Sequence, residues 1–241
     1  MDQESRWRAL CAVIEARRAV RDFAPAPVEA ADLRAIIELA LLSPTSSNLQ
    51  LYRLHVVTDP ALRATLAHAC MNQRAARTAP VLIAVACCPR EVSTSLAEQR
   101  RALAAASQLG QGTHEHAVAH LTKLQPVLGL ASHRLLAPML RVALWAARQV
   151  RPTPELSTGD RALREWTMRN SAFAVQTLML AAEAQGYATC PMEGFDPQRV
   201  ARALGLRHER VWLMLALGRR ADGARVDARW RRPFSTMVRI H

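Results

Sequence analysis

The segment Pro80-Val81-Leu82-Ile83-Ala84-Val85-Ala86-Cys87-Cys88 carries no charge and alternates β-branched residues with small or aliphatic ones. A short, continuously apolar run of this kind predicts a strand buried on both faces. Such a strand needs neighbours. Upstream, Tyr52 to Thr58 (YRLHVVT) is rich in β-formers. Downstream, Val211 to Leu217 predicts another buried strand and Tyr187 to Met192 a short one.

Helical periodicity fills the intervals between these strands. Trp7, Leu10, Cys11, Val13 and Ile14 share one side of a helix from about Glu4 to Arg17. After it, Pro25 and Pro27 force an extended path. Leu33, Ile36, Ile37 and Leu41 then mark a second helix that should stop near Ser43-Pro44. Asp59-Pro60 and Asp196-Pro197 each read as an N-cap followed by a first-turn proline. Asp160 to Gly186 predicts a long helix, apolar all round from Ala172 to Ala182, with Gly186 as its stop. From about Arg90 to Gly159 the composition shifts to Ala, Leu, Gln, His and Arg. This predicts a helical insertion at about 90–159, broken at Pro126, Pro138 and Pro152. The tail, 219–241, is basic and irregular. Alternating helices and strands without a repeat or linker predict one α/β or α+β domain over residues 1–241.

Composition bounds the function classes. Of 241 residues, 50% are hydrophobic and 22% charged, which excludes an intrinsically disordered chain. The best membrane-span candidate, Pro126 to Val150, is interrupted by His133, Arg134, Arg141 and Arg148. Met1 to Arg8 leads into no apolar signal core, so the expected location is the cytoplasm. Cys11, Cys70, Cys87, Cys88 and Cys190 have no C-x-x-C spacing and read as buried thiols in a reducing compartment. The net charge is +12, and Lys123 is the only lysine. Arginine suits bidentate recognition of phosphate or carboxylate, while codon bias raises the pI equally well. Charge alone names no partner.

Three segments could carry chemistry. Arg17, Arg18 and Arg21 meet where a helix gives way to extended chain, suiting either a phosphate dianion or a solvated helix end. Ser43-Pro44-Thr45-Ser46-Ser47-Asn48-Leu49-Gln50 is a polar loop able to bind phosphate or the imide edge of a heterocycle, or simply to cap. Cys190-Pro191-Met192-Glu193-Gly194-Phe195-Asp196 ends a strand with a glycine that lets backbone approach a ligand. Elsewhere, His116 and His120 lie one helical turn apart, but without the H-E-x-x-H order they read as a polar helix face rather than a metal site. Arg134, Arg141 and Arg148, seven apart, read as the solvated face of a packed helix rather than a membrane contact. There is no G-x-S-x-G and no Rossmann G-x-G-x-x-G.

Taken in order, these segments resemble the FMN-dependent nitroreductases, from about Ala16 to Ala86 and again from about Trp166 to Val238. The resemblance implies an α+β fold with a central, mostly antiparallel sheet flanked by helices. It also implies an intertwined homodimer with cofactor at the interface. Arg17, Arg18, Ala19 and Arg21 would then line FMN, Arg17 near the phosphate and Arg21 near the pyrimidine edge. Pro44, Thr45, Ser46 and Asn48 would reach the cofactor of the other subunit, and Asn72 would bond the pyrimidine ring. Pro191, Met192, Glu193 and Gly194 would lie along the flavin face. Arg229 and Arg231, or Arg232 with a one-residue shift, would close on the phosphate. NADH or NADPH would supply electrons in ping-pong fashion to a nitro, quinone or similar small acceptor, with no side-chain nucleophile or acid–base pair required. Neither nucleic acid nor membrane is an expected partner. Ala19 stands where serine is common, Leu51-Tyr52 replaces a frequent Pro-Trp, and the insertion is long, all of which bear on substrate more than cofactor. Two alternatives remain: another flavin reaction on the same scaffold, dehydrogenation or flavin destruction, and a basic nucleic-acid-binding module without cofactor.

Overall fold

The apolar run forms β2 (Val81–Cys87), and every residue in it is buried. It lies between β1 (Tyr52–Val57) and β4 (Arg210–Gly218), and β3 (Ala188–Met192) pairs with the far side of β4. All three pairings of the order β1-β2-β4-β3 are antiparallel, with Tyr52 opposite Cys87, Ile83 opposite Leu215 and Met192 opposite Met214. A computed structural model describes residues 2–108, 115–132, 136–153 and 159–241 of the chain.

Because side chains alternate across a strand, β2 and β4 face two separate cores. Leu82, Ala84, Ala86, Met214 and Ala216 pack with Leu66, Ala76 and Val200 on one side. Those partners come from α3 (Pro60–Ala69), α4 (Arg74–Thr78) and α9 (Pro197–Ala203). Val81, Ile83, Val85, Leu213, Leu215 and Leu217 pack on the other side with Ile36, Val175 and Leu178. These belong to α2 (Ala30–Leu41) and α8 (Asp160–Ala184). Each fully buried Leu or Ile contributes about 1.5–3 kcal/mol, so this double-sided burial is the main anchor of the sheet. At the end of β4 the chains come close. A Cβ on Gly218 would lie 2.5 Å from Pro80 Cδ, so only glycine fits there.

The helix signals have direct structural counterparts. Asp59 Oδ1 accepts from Leu62 N–H at 2.7 Å, and Asp196 Oδ1 accepts from Gln198 and Arg199 N–H at 2.9 and 3.0 Å. Both satisfy donors that a helix start leaves open. Gly186, at φ 77°, ends α8; its N–H reaches Glu183 O, and Tyr187 N–H reaches Ala182 O at 2.8 Å, the paired bonds of a Schellman stop.

Other expectations require correction. α8 is not apolar-buried all round: Ala174, Val175, Leu178 and Ala182 are buried, but Phe173 is 56% exposed and Gln176 also faces out. Only one side of the helix meets the sheet. Between 90 and 159 the chain forms α5 (Val92–Gln108), α6 (Glu115–Ser132) and α7 (Ala137–Arg148). Pro126 does not break it but sits inside α6, where the remaining bonds of an 18-residue helix outweigh the one its ring forfeits. Pro138 starts α7 instead. Of the arginine stripe, Arg141 and Arg148 are on α7, and Arg134 lies outside the described residues. His114 and the side chains of His116 and His120 also lie outside them, and no metal-binding group of His, Cys, Asp or Glu occurs among the described residues. α4 carried no sequence signal, and the tail contains one short helix, α10 (Phe234–Met237). The first helix, α1 (Gln3–Ala16), has no buried residue. All five cysteines are free, and four are buried.

Candidate functional site

β3 is a sheet edge, and the chain leaving α1 lies along it. Val20 N–H donates to Thr189 O at 3.1 Å, Ala19 bridges Thr189 in parallel sense, and Phe23 bridges Arg220. This pairing fixes the backbone from Arg17 to Arg21 beside the strand that ends in Pro191 and Met192.

The basic tail then returns to the same place. Arg229 Nη2 donates to the carbonyls of Ile14, Glu15 and Arg17 at 3.1, 2.7 and 3.3 Å. Arg18 Nη1 donates to Glu15 O at 2.6 Å and Arg17 O at 3.1 Å. These carbonyls are the ones a helix end leaves without partners, and cations are favoured there. Arg21 Nη1 meets Asp227 Oδ2 at 3.2 Å. A cavity of about 320 Å³ results, lined by Arg17, Arg18, Ala19, Arg21, Arg229 and Arg231 together with residues 226–228 and 230. Arg231, not Arg232, lines it; Arg231 Nη1 donates to Trp230 O at 2.7 Å.

The charges here are crowded. Desolvation, then the neighbouring cations Arg18, Arg231 and Arg17, hold the Arg229 guanidinium below its ordinary pKa. Burial raises the Glu183 carboxyl, and Arg17 and Arg18 partly offset that rise. An excess of cations around a concavity is the arrangement that an added anion relieves.

Asn72 and the 191–194 segment meet beside this cluster. Met71 and Asn72 adopt φ 57° and 52°, a two-residue left-handed turn at the end of α3. Asn72 N–H donates to Ala67 O at 2.9 Å, while its carboxamide is exposed and has no partner among the described residues. The next side chain, Gln73, donates to the carbonyl of Gly194, and Asp196 N–H donates to Ala69 O at 2.9 Å. A Cβ on Gly194 would lie 3.3 Å from the Gln73 amide nitrogen, so the two segments are in close contact. Pro191 and Glu193 are exposed, and Met192 is buried in the core.

Thr45, Ser46 and Asn48 are not brought to this cavity. They sit before β1, at the opposite edge of the sheet from β3, and three strand spacings span about 14 Å. Their loop is held by its own bonds. Ser46 N–H donates to Asn170 Oδ1 at 2.6 Å, Trp166 Nε1 to Ser46 Oγ at 3.3 Å, and Gln50 to Thr45 Oγ1 and Asn48 Oδ1, each at 3.1 Å. Ser47, Asn48 and Gln50 have φ of 51°, 53° and 49°, a concentration of left-handed non-glycine residues that costs energy and recurs at functional loops. Pro44 is exposed at the loop's start.

Sequence reasoning missed Gln73, Glu183 and Asp227, which touch or face Gly194, the arginines at 17 and 18, and Arg21. Gln73 could have been found as the neighbour of Asn72. Nothing local marks Asp227, whose partner Arg21 is 206 residues away.

The family model described as "Nitroreductase family" matches residues 14–219. The arginines at 229–231 lie beyond that match. The NADH dehydrogenase of Thermus thermophilus is 30% identical over 208 residues, covering 86% of this chain and 84% of that protein. The crystal structure of the nitroreductase YdfN from Bacillus subtilis superposes with TM-score 0.75 at 22% identity, covering 98% of this chain and all of that one. A nitroreductase from Exiguobacterium sibiricum, solved in complex with FMN, gives TM-score 0.71 at 22% identity, with 96% and 97% of the chains covered. With a four-stranded antiparallel sheet, its helical layers and a family match over most of its length, this chain belongs to the nitroreductase family of oxidoreductases.

Proposed function

We propose that the protein is an FMN-dependent oxidoreductase. It takes electrons from NADH or NADPH and passes them, with ping-pong kinetics, to a nitro compound, a quinone or a similar electron-poor acceptor. One observation carries the reading: guanidinium groups from the two ends of the chain, Arg17, Arg18, Arg21, Arg229 and Arg231, line one cavity of about 320 Å³.

The residues present fit the cofactor. Several forks of fixed donors around a concavity match a phosphate dianion. Beside them, Gly194 leaves room that a side chain would fill, and the free carboxamide of Asn72 offers a donor and an acceptor to the imide edge of a ring. FMN, when bound, would supply two-electron chemistry between a nicotinamide and an oxidant. The chain's own residues would bind and orient. Arg17, Arg18, Arg229 and Arg231 would hold the phosphate, and Arg21, braced by Asp227, would place positive charge at the pyrimidine edge. A charge-assisted hydrogen bond there contributes about 1.5–3 kcal/mol. The backbone of 191–194, held by Gln73, would set the floor on which donor and acceptor lie in turn.

We further propose a homodimer with the cofactor at its interface. Trp7, Leu10 and Ile14 on α1, Leu39, Leu41 and Leu42 after them, Phe173 on α8 and Trp230 in the tail are between 47% and 79% exposed. Apolar surface on this scale marks an association site. The same assembly would allow the strained Thr45–Asn48 loop to reach the cofactor of the second subunit. A nucleic-acid module would set its arginines along a stripe or face; these line a concavity instead. No helix among the described residues is long and apolar enough to cross a membrane, and the free cysteines suit the cytoplasm proposed for the chain.

The test is optical. The purified protein should be yellow, and NADH or NADPH should bleach its flavin band without oxygen, after which a nitroarene or quinone should restore it. A colourless protein that refuses added FMN would overturn the reading.

A further inference from the structure

A second cavity, of about 800 Å³, lies where the start of β4 meets α9 and the first turns of α8. Its volume falls within the range typical of small-molecule sites. Arg90, Arg164, Arg207 and Arg210 all line it. Arg90 is engaged, donating to His208 Nδ1 at 3.1 Å. The guanidinium groups of Arg164, Arg207 and Arg210 have no hydrogen bond or ion pair among the described residues. Two carboxylates share the lining, Asp160 and Glu209. Glu209 is already taken by Arg53 and His55. Among the described residues, three unspent cations therefore line one concavity with a single unengaged carboxylate, an excess of positive charge that a dianion would complement.

This cavity is separate from the arginine cluster at residues 17–21 and 229–231. Arg164 stands near the beginning of α8 and Glu183, which faces Arg17 and Arg18, near its end. Nineteen residues of helix place them about 28 Å apart. One FMN phosphate cannot serve both places.

We propose that this cavity is a second anion site and binds a phosphate-bearing small molecule. Planar forks lining one cavity from a strand, a loop and a helix favour a phosphoryl group, which can accept from several guanidinium groups at once. The phosphate has two candidate sources, the 2′-phosphate of NADPH and a separate phosphorylated metabolite. The site does not depend on the flavin assignment.

Pyrophosphate, titrated calorimetrically at low salt into protein saturated with FMN, tests it. One equivalent per chain should bind. The combined variant Arg164→Ala, Arg207→Ala, Arg210→Ala should weaken that binding at least about tenfold while retaining its flavin. Arg207→Lys with Arg210→Lys, keeping charge but losing the fork, should fall between. Absence of pyrophosphate binding, or unchanged binding in the triple alanine variant, overturns the proposal. If the triple variant raises KM for NADPH but not for NADH, the phosphate is the donor's. If both KM values hold while pyrophosphate binding is lost, the ligand is a separate metabolite. Should the protein prove free of flavin, the same wild-type and variant comparison still reads this cavity alone.

Discussion

Arg18 and Arg229, 211 positions apart, donate to the same acceptor, the carbonyl oxygen of Glu15, at 2.6 and 2.7 Å. The end of α1 thus gathers two like charges that would otherwise repel, and does so on the wall of the proposed phosphate cavity. These two bonds tie the tail and the first helix to the cavity wall.

Replacing Arg229 by alanine should therefore act twice. FMN affinity should fall by about 10- to 150-fold, the equivalent of one charge-assisted bond of about 1.5–3 kcal/mol. Amide hydrogens in the last turn of α1 should also exchange faster, because Ile14, Glu15 and Arg17 lose a shared donor. Fluorescence titration with FMN and hydrogen exchange read the two effects. An unchanged flavin dissociation constant would remove Arg229 from the site.

Gly218→Ala should destabilise the sheet without touching the cavity. The added methyl meets Pro80 at 2.5 Å, and overpacking of this type costs about 1–3 kcal/mol. Urea denaturation should show an earlier midpoint with unchanged slope.

Thr189 is 1% exposed, and its hydroxyl has no partner among the described residues. Thr189→Val keeps the shape and removes the unsatisfied group, so unfolding should become harder by about 1 kcal/mol. Reduced stability in that variant would mean that the hydroxyl is bonded in solution.

Burial pushes the Cys70 thiol up to about 11 and the Cys87 and Cys88 thiols up to about 12, from a reference of 9.0. A folded-state pKa raised above the unfolded value gives stability that is complete below the unfolded value and lost as pH climbs towards the folded one. Thermal stability should accordingly decline between about pH 9 and 12. At pH 8 a thiol reagent should label Cys70, Cys87, Cys88 and Cys190 only on unfolding. Rapid labelling of two or more cysteines in the folded protein would contradict this burial.

Much of the fold was legible because its signals are local. The buried strand at 81–87, the caps Asp59 and Asp196 and the glycine stop at 186 each depend on residues within a few positions of one another. Periodicity failed at two kinds of place. Pro126 looked like a break, yet a long helix absorbs one missing bond. The second half of α8 looked buried on every side, yet Phe173 is exposed, since hydrophobicity does not say whether the covering surface belongs to the same chain.

The sequence by itself determined the buried strand at 81–87, its β-rich neighbours, most of the helices and the caps at Asp59 and Asp196, and it set arginines at 17, 18 and 21 and a basic tail at 219–241. Only the tertiary structure decided that Arg17, Arg18, Arg21, Arg229 and Arg231 share one cavity, that Asp227 braces Arg21 and Gln73 holds Gly194, and that three further arginines without a side-chain partner among the described residues line another. The physical reason is range. Backbone hydrogen bonding and side-chain periodicity act over a few residues and can be read along the chain, whereas charges separated by two hundred positions meet only once the sheet has fixed where its edges lie.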